Sequence, residues 1–295
     1  MHKTGIALFV YNRPGHTEKV LNGLEKNNID KLYIFADGAK IKDDKNKICQ
    51  VRAIIESINW CETEIVESEK NKGLANSIVD GVNHILGKHE RIIVLEDDCV
   101  PSEDFIYFMN ACFDEYEKNK QIMNITGYAP PIKIPPDYPY NIYFSYCSSS
   151  WGWGTWKRAW QYFDRNPTIL QEIDSSKSLR YKVDRAGKDL YPMLKSQIEG
   201  NLDSWAVFWA INIIENDGLC INPVDSRISN IGHDGTGVHC PKNRRYDVSL
   251  ETKSYEKIIF PNNAQPDERI VKNYKDFRSE SFFKKVMRFC INKIK

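Results

Sequence analysis

The sequence predicts an α/β fold with a mostly parallel central sheet flanked by helices, and three observations carry that expectation. From Thr4 to Leu95 short apolar runs alternate with longer segments of helical period, the pattern of stacked βαβ units. The run Ile92, Ile93, Val94, Leu95 is apolar and largely β-branched, as a strand buried on both faces should be. Each such run ends in a polar cluster, and right-handed crossovers would gather those ends at one edge of the sheet.

Taken in order, strands are expected over residues 6–10, 31–36, 64–68 and 91–95, with helices over 16–26, 45–59 and 74–86 between them. The polar ends read Tyr11-Asn12-Arg13-Pro14, Asp37-Gly38, Glu69-Lys70-Asn71-Lys72-Gly73 and Glu96-Asp97-Asp98. The last of these crowds like charges together. Such acids either lie in water or hold a cation, because a hard divalent ion prefers carboxylate oxygens and cancels their repulsion. Ser102 then reads as the N-cap of a helix over 103–119, in which Phe105, Ile106, Phe108, Met109, Cys112, Phe113 and Tyr116 form a buried face. A strand over 122–127 follows. The βαβ pattern stops in the Pro- and Tyr-rich stretch 129–140, where a soft boundary is expected.

The second half opens with Trp151, Trp153, Trp156 and Trp160, four tryptophans within ten residues, interleaved with Gly152 and Gly154. Tryptophan fills cores and binding surfaces alike, and the glycines let a backbone approach a ligand closely. A helix is expected over 155–163, then a polar stretch to Gly200 with little pattern. Residues 202–215 form a strongly apolar helix with Asp203 at its start. There an acid serves either as a cap, worth about 1 kcal/mol, or as a general base. A strand over 219–222 leads to the loop 230–240, rich in glycine and holding His233 and His239, a segment able to wrap an anion or present an imidazole to a metal. Residues 279–295 place Phe282, Phe283, Val286, Met287, Cys290 and Ile294 opposite Lys284, Lys285, Arg288, Lys293 and Lys295, a basic amphipathic helix suited to an anionic membrane surface. The plainer alternative is a terminal helix packed on its own domain or on a second protomer.

At 295 residues and 41% hydrophobic content, the chain can bury a sizeable core. The 41 Lys and Arg against 40 Asp and Glu leave a formal charge of +1, with no bulk pull toward nucleic acid. The eight cysteines include no C-x-x-C pair and suggest reduced structural thiols. The first apolar run is too short for a signal-peptide core, and no later run reaches membrane-spanning length, so a cytoplasmic location is expected, with peripheral contact at the inner face of the cell membrane. Asn124-Ile125-Thr126 matches a glycosylation sequon by chance.

With Asn12-Arg13-Pro14, Asp37-Gly38, Asn71-Lys72-Gly73, Glu96-Asp97-Asp98 and the W-G-W-G-T-W segment in hand, the chain resembles nucleotide-sugar glycosyltransferases of the GT-A, Rossmann-like fold. It is similar to the bacterial family-2-type enzymes of surface polysaccharide synthesis, and its E-D-D acids are similar to those of N-acetylglucosaminyltransferase I. The resemblance implies a nucleotide-sugar-binding half over 1–128, an acceptor-binding and catalytic half of the same domain over 129–278, and the basic helix over 279–295. It further implies that Asp37 bonds a uracil ring, that Arg13 lies near the diphosphate, and that Asn71, Lys72, Gly73 and Asn76 line the nucleotide pocket. Asp98 would bind the metal, Asp97 would face the ribose and Glu96 the donor sugar. Trp151 and Trp153 would border the donor, Asp203 would be the base of an inverting transfer, and His239, in preference to His233, would be a second metal ligand. The implied cofactor is Mn²⁺ or Mg²⁺, an imidazole ligand favouring Mn²⁺. The implied partners are a UDP-sugar donor and a glycan or lipid-linked acceptor.

The chemistry is coherent with those roles. A nucleoside diphosphate leaves only when its growing charge is neutralised, which a divalent ion does, and an acceptor hydroxyl needs a carboxylate to take its proton. Two other classes compete. A sugar nucleotidyltransferase would carry a glycine-rich phosphate loop after the first strand, where this chain has Y-N-R-P-G-H. A degenerate carbohydrate-binding or scaffold subunit has no need to keep all three acids.

Overall fold

The computed structural model describes residues 3–235, 244–250 and 257–278. Through residue 96 the alternation resolves as expected into β1 (Thr4–Val10), α1 (Pro14–Glu25), β2 (Lys31–Ala36), α2 (Asp44–Glu56), β3 (Glu62–Glu67), α3 (Leu74–Leu86) and β4 (Arg91–Glu96). These four strands are parallel and lie in the order β3-β2-β1-β4. Their carboxyl ends, with the polar clusters that follow, therefore share one edge.

After β4 the chain forms β5 (Cys99–Pro101), α4 (Phe105–Glu115), β6 (Ile122–Thr126), β7 (Ile142–Ser145), β8 (Trp153–Trp156) and α5 (Lys157–Trp160). Three helices follow, α6 (Ile169–Ser175), α7 (Lys177–Ala186) and α8 (Leu190–Ile198), then α9 (Trp205–Glu215), β9 (Leu219–Pro223), β10 (Ile228–Asn230) and a 3₁₀ turn, Gly232–Asp234. A last helix spans residues 268–278. The main sheet has eight strands in the order β3-β2-β1-β4-β8-β6-β9-β7, and β8 and β7 run antiparallel to their neighbours. It bears out the Rossmann-like α/β class while making its second half mixed.

One face of the sheet buries Leu8, Val10, Ile34, Ile93 and Leu95 against Val20 and Leu24 of α1, Ile55 of α2 and Phe105 and Met109 of α4. The opposite face buries Ala7, Phe9, Ile92 and Val94 against Ile78 and Val82 of α3 and Trp205 and Trp209 of α9. Both faces are thus covered, the arrangement that near-continuous apolar strands require. A third cluster joins α6, α7 and α8 to the outer side of α9 and to Ile270 and Tyr274. That helical layer occupies the stretch in which the sequence showed little pattern.

Two local expectations are corrected. The segment expected as a helix over 155–163 is helical only over Lys157–Trp160: Thr155 and Trp156 are the end of β8, which slots between β4 and β6. Gly154 permits this, since a β-carbon there would stand 2.7 Å from the Ile92 carbonyl oxygen and 2.8 Å from Phe113 Cζ. Ser102 does not cap α4. Its hydroxyl donates to Asp104 Oδ1 at 2.6 Å, and the helix begins at Phe105, because Cys99–Pro101 is drawn into a two-stranded ribbon with β10. The sequon residue Asn124 is fully buried and accepts a hydrogen bond from Trp209 Nε1 at 3.1 Å.

Candidate functional site

Arg13 and the acids that end β4 form the centre of the shared edge. Pro14 occupies the first turn of α1, where its missing N–H is no loss, so Arg13 is the residue that precedes the helix and its side chain is not used as a cap. That side chain reaches across to the neighbouring strand end instead. Its guanidinium donates to Asp97 Oδ1 in a very short contact and to Asp98 Oδ2 at 2.9 Å. Burial works against the Arg13 charge, but Asp97 and Asp98 outweigh it and raise the pKa further.

Three carboxylates face this one cation. Burial, with Asp98 and Asp97 adding to it, pushes the Glu96 carboxyl up to about 8, and Arg13 only partly opposes them. Burial also raises Asp97, against the pull of Arg13. Burial is the larger cause of the Glu96 rise and the crowding of like charge the smaller, and an added cation would relieve both by favouring the charged form. Among the described residues no group of three His, Cys, Asp or Glu side chains is arranged to hold a metal ion. Hard ions of the Mg²⁺ type nevertheless bind through one or two carboxylates, with substrate phosphates and water completing the shell. The donor chemistry at Asp98 fits that mode.

The 230–235 segment closes over Asp98. β10 pairs antiparallel with β5, Asn230 opposite Cys99, and the Ile231 N–H continues the contact to the Asp98 carbonyl at 2.9 Å. Asn230 Nδ2 donates to Asp98 Oδ1 at 3.2 Å, while Asn230 Oδ1 accepts from the Gly232 N–H at 2.9 Å and meets His233 Nδ1 at 3.1 Å. Burial lowers the His233 pKa below its ordinary value. The ring lies edge-on to Trp151 at 5.1 Å and tilted on Tyr246 at 5.0 Å, and Trp151 also meets Tyr128 at 4.5 Å.

Asp37 builds a second cluster at the end of β2. Its oxygens accept from the backbone N–H of Gly38 at 2.8 Å, of Lys72 at 2.9 Å and of Gly73 at 3.2 Å, and from Asn71 Nδ2 at 3.0 Å. The carboxylate expected at a uracil ring is thus occupied in holding the 71–73 loop. Asn76 Nδ2 donates to the Lys72 carbonyl at 3.0 Å, and the Lys72 ammonium turns along α3 to Asp80 at 3.0 Å. A cavity of about 150 Å³ opens here, lined by Phe35, Asp37, Val66, Lys72, Ser77 and His84. Asp203 comes from the far half of the chain to this loop, with Oδ2 3.3 Å from where a β-carbon of Gly73 would stand. It is not a cap: Ser204 precedes α9, and the helix start carries no side-chain cap bond.

The site residues therefore divide. Arg13, Asp97 and Asp98 meet in one cluster, and Asp37, Asn71, Lys72, Gly73 and Asn76 in the next, with Asp203 beside it. Trp153 is a correction: it is 0% exposed in β8, stacked on Trp205 at 4.6 Å, so no donor can reach it. Trp151, two residues earlier, is the tryptophan at the edge. Asp97, expected at a ribose, is only 4% exposed and is taken up by Arg13. His239 and the basic segment 279–295 lie outside the described residues. Sequence reasoning missed Asn230, whose pairing opposite Cys99 no local pattern announces, and Asp44. Asp44 accepts from Tyr11 Oη at 2.7 Å and Asn12 Nδ2 at 2.8 Å, tying the β1 end to the start of α2.

No family model matches the chain, and no curated protein matches it. Among solved structures, S. aureus TarS 1-349 aligns with a TM-score of 0.44 and 10% identity, over 77% of this chain and 60% of that one. The chain thus spans less than two thirds of that TarS structure. The mannosyltransferase PcManGT from Pyrobaculum calidifontis, in complex with GDP-Man and Mn²⁺, aligns with a TM-score of 0.39 and 11% identity, over 73% of each chain. A 4-diphosphocytidyl-2C-methyl-D-erythritol synthase from Anaerococcus prevotii aligns with a TM-score of 0.37 and 12% identity, over 76% of this chain and 89% of that one.

Proposed function

We propose that the protein is a glycosyltransferase that moves a sugar from a nucleotide-sugar donor, a UDP-sugar in the first instance, to a hydroxyl of a glycan or lipid-linked acceptor. The observation that carries this reading is the cluster of Glu96, Asp97 and Asp98 at the end of β4, held by Arg13 from the end of β1, with the Asp37-anchored loop at the end of β2 on the other side of β1. An edge that offers a guanidinium, acids short of positive charge and a loop built on backbone amides suits a nucleoside diphosphate accompanied by a cation. Open α/β sheets bind ligands at this carboxyl edge.

In this reading Asp98 holds a divalent ion, Mn²⁺ or Mg²⁺, which when bound neutralises the charge that develops on the leaving diphosphate. Arg13, released from the acids as the ion takes over their compensation, turns its guanidinium to the phosphate oxygens. The 71–73 loop seats the nucleoside, and Trp151 offers the donor sugar an apolar face. Asp203 takes the proton of the acceptor hydroxyl, which makes the transfer inverting. Surface polysaccharide synthesis is the process such chemistry would serve.

The test is a thermal-shift series with UDP-, GDP- and CDP-linked sugars, with and without Mn²⁺, followed by an assay for nucleoside diphosphate release. A ligand that binds only the folded state raises the melting temperature. UDP-sugars with Mn²⁺ are expected to give the largest rise, and no rise with any nucleotide would overturn the reading. Among the described residues no helix is long and apolar enough to cross a membrane. Peripheral contact at the inner membrane face through residues 279–295 is proposed on their sequence. Equal liposome binding by a chain lacking them would remove it.

A further inference from the structure

We propose that Asn230 is a positioning residue whose one amide group does two jobs, aiming the carboxylate of Asp98 and fixing the tautomer of His233. The inference rests on the nucleotide-sugar reading for its consequence in binding, and on geometry alone for the tautomer. The orientation of the amide is decided by the Gly232 N–H, which can only donate and lies 2.9 Å from Oδ1. Oxygen therefore faces the glycine loop, and Nδ2 faces Asp98 Oδ1 at 3.2 Å. The same oxygen stands 3.1 Å from His233 Nδ1, and an amide oxygen can only accept. His233 must then carry its proton on Nδ1, which leaves Nε2 as the nitrogen with the free lone pair. A free imidazole leans the other way, so the bond selects the less common form.

The surroundings hold both ends of the amide in place. Asn230 is buried and sits in register with Cys99, immediately beside Asp98 in the chain. Gly232 lies so close to the Asp98 carboxylate that no β-carbon fits between them. Arg13 holds the other oxygen of that carboxylate at 2.9 Å, so when Arg13 leaves for the diphosphate the Asn230 amide, with the weaker Cys99 thiol donor at 3.4 Å, keeps Oδ1 from rotating. On the loop, Trp151 and Tyr246 bracket the His233 ring, and with its tautomer set the lone pair of Nε2 becomes a fixed hydrogen-bond acceptor beside the proposed donor site. Groups that orient a ligating carboxylate commonly change metal affinity or activity 10- to 100-fold when removed.

The experiment measures both jobs in the full chain. Long-range ¹H–¹⁵N correlation of the histidine rings at pH 8 is expected to show His233 protonated at Nδ1, and Asn230→Ala should move it toward the Nε2–H form. Asn230→Asp retains an acceptor for both Gly232 and His233 but sets a second carboxylate against Asp98 Oδ1, so it should keep the wild-type tautomer while losing the Asp98 contact, and the wild-type tautomer decides that half of the proposal if neither variant folds. Calorimetry with UDP and Mn²⁺ as the probe should show binding to Asn230→Ala weakened about 10- to 100-fold. A wild-type His233 protonated at Nε2 would overturn the proposal, as would an alanine variant with unchanged tautomer and unchanged affinity. If the wild-type chain binds no UDP with Mn²⁺, the nucleotide reading fails, and the tautomer comparison alone decides the role of Asn230.

Discussion

The carboxylate of Asp203 lies over Gly73, its Oδ2 3.3 Å from the position a β-carbon on that glycine would take. Two residues 130 positions apart in the chain thus meet at the start of α3, where Gly73 adopts a φ of +78° that side chains rarely tolerate. The acid is brought to the proposed nucleotide loop by the turn before α9, and not by any need to cap α9 itself.

Replacement of Asp203 by Asn keeps the shape and removes the carboxylate proposed as the base. Nucleotide-sugar binding should stay near wild type while turnover falls roughly 10²- to 10⁴-fold, the usual scale for general-base loss. Single-turnover kinetics beside calorimetry would separate the two, and unchanged turnover would leave Asp203 as a prop for the 73 loop.

Asp98→Ala removes the carboxylate that Arg13 and Asn230 both hold. Mn²⁺-dependent UDP binding should be lost, because the diphosphate charge is then left without its shared ion. Calorimetry showing the same affinity with and without this carboxylate would rule out its role as a ligand.

Glu96 gives the fold a pH dependence with a definite sign. Its carboxyl keeps its proton up to about 8 in the folded chain, against an ordinary value of 4.5, because it is buried beside Asp98 and Asp97. Between those values the folded state holds more protons than the unfolded one, so stability should fall as pH rises from about 5 through 8. Glu96→Gln should flatten that fall in a urea titration series. Binding of a divalent ion should release a proton near pH 7, readable from the buffer dependence of the heat.

Asp37→Ala should destabilise the fold by about 1–3 kcal/mol, the cost of leaving one buried and two part-buried N–H groups without their acceptor. The groups affected are the amides of Gly38, Lys72 and Gly73. Affinity for UDP, CDP and GDP should drop together, since the loop is lost as a whole. Full stability with an altered preference among the three bases would instead show that Asp37 reads the base.

Legibility in the sequence follows from the range over which each signal acts. The alternation through Leu95 and the acids of 96–98 were readable because a strand buried on both faces must be apolar along its length and must end where polar residues begin. The places of Asp37, Asn71, Lys72 and Asp98 at the sheet edge were readable for the same reason, since each follows a strand end. Trp153 was misjudged because an aromatic–glycine repeat looks alike in a ligand platform and in a central strand. Gly154, placed for the approach of the Ile92 carbonyl, was the clue to the second. The polar stretch before Gly200 hid three helices, since α6, α7 and α8 bury little each and lean on the already apolar α9.

The sequence by itself determined the α/β class, the order of the first four strands along the chain and the identity of the acids at the edge, because local periodicity and strand-end chemistry are properties of neighbouring residues. The tertiary structure decided the rest. Only pairing across the molecule could insert β8 between β4 and β6, set Asn230 opposite Cys99, carry Asp203 to Gly73 and turn Arg13 onto Asp97 and Asp98. Such contacts join segments far apart in the chain, and their energy comes from burial and charge pairing that no single stretch contains.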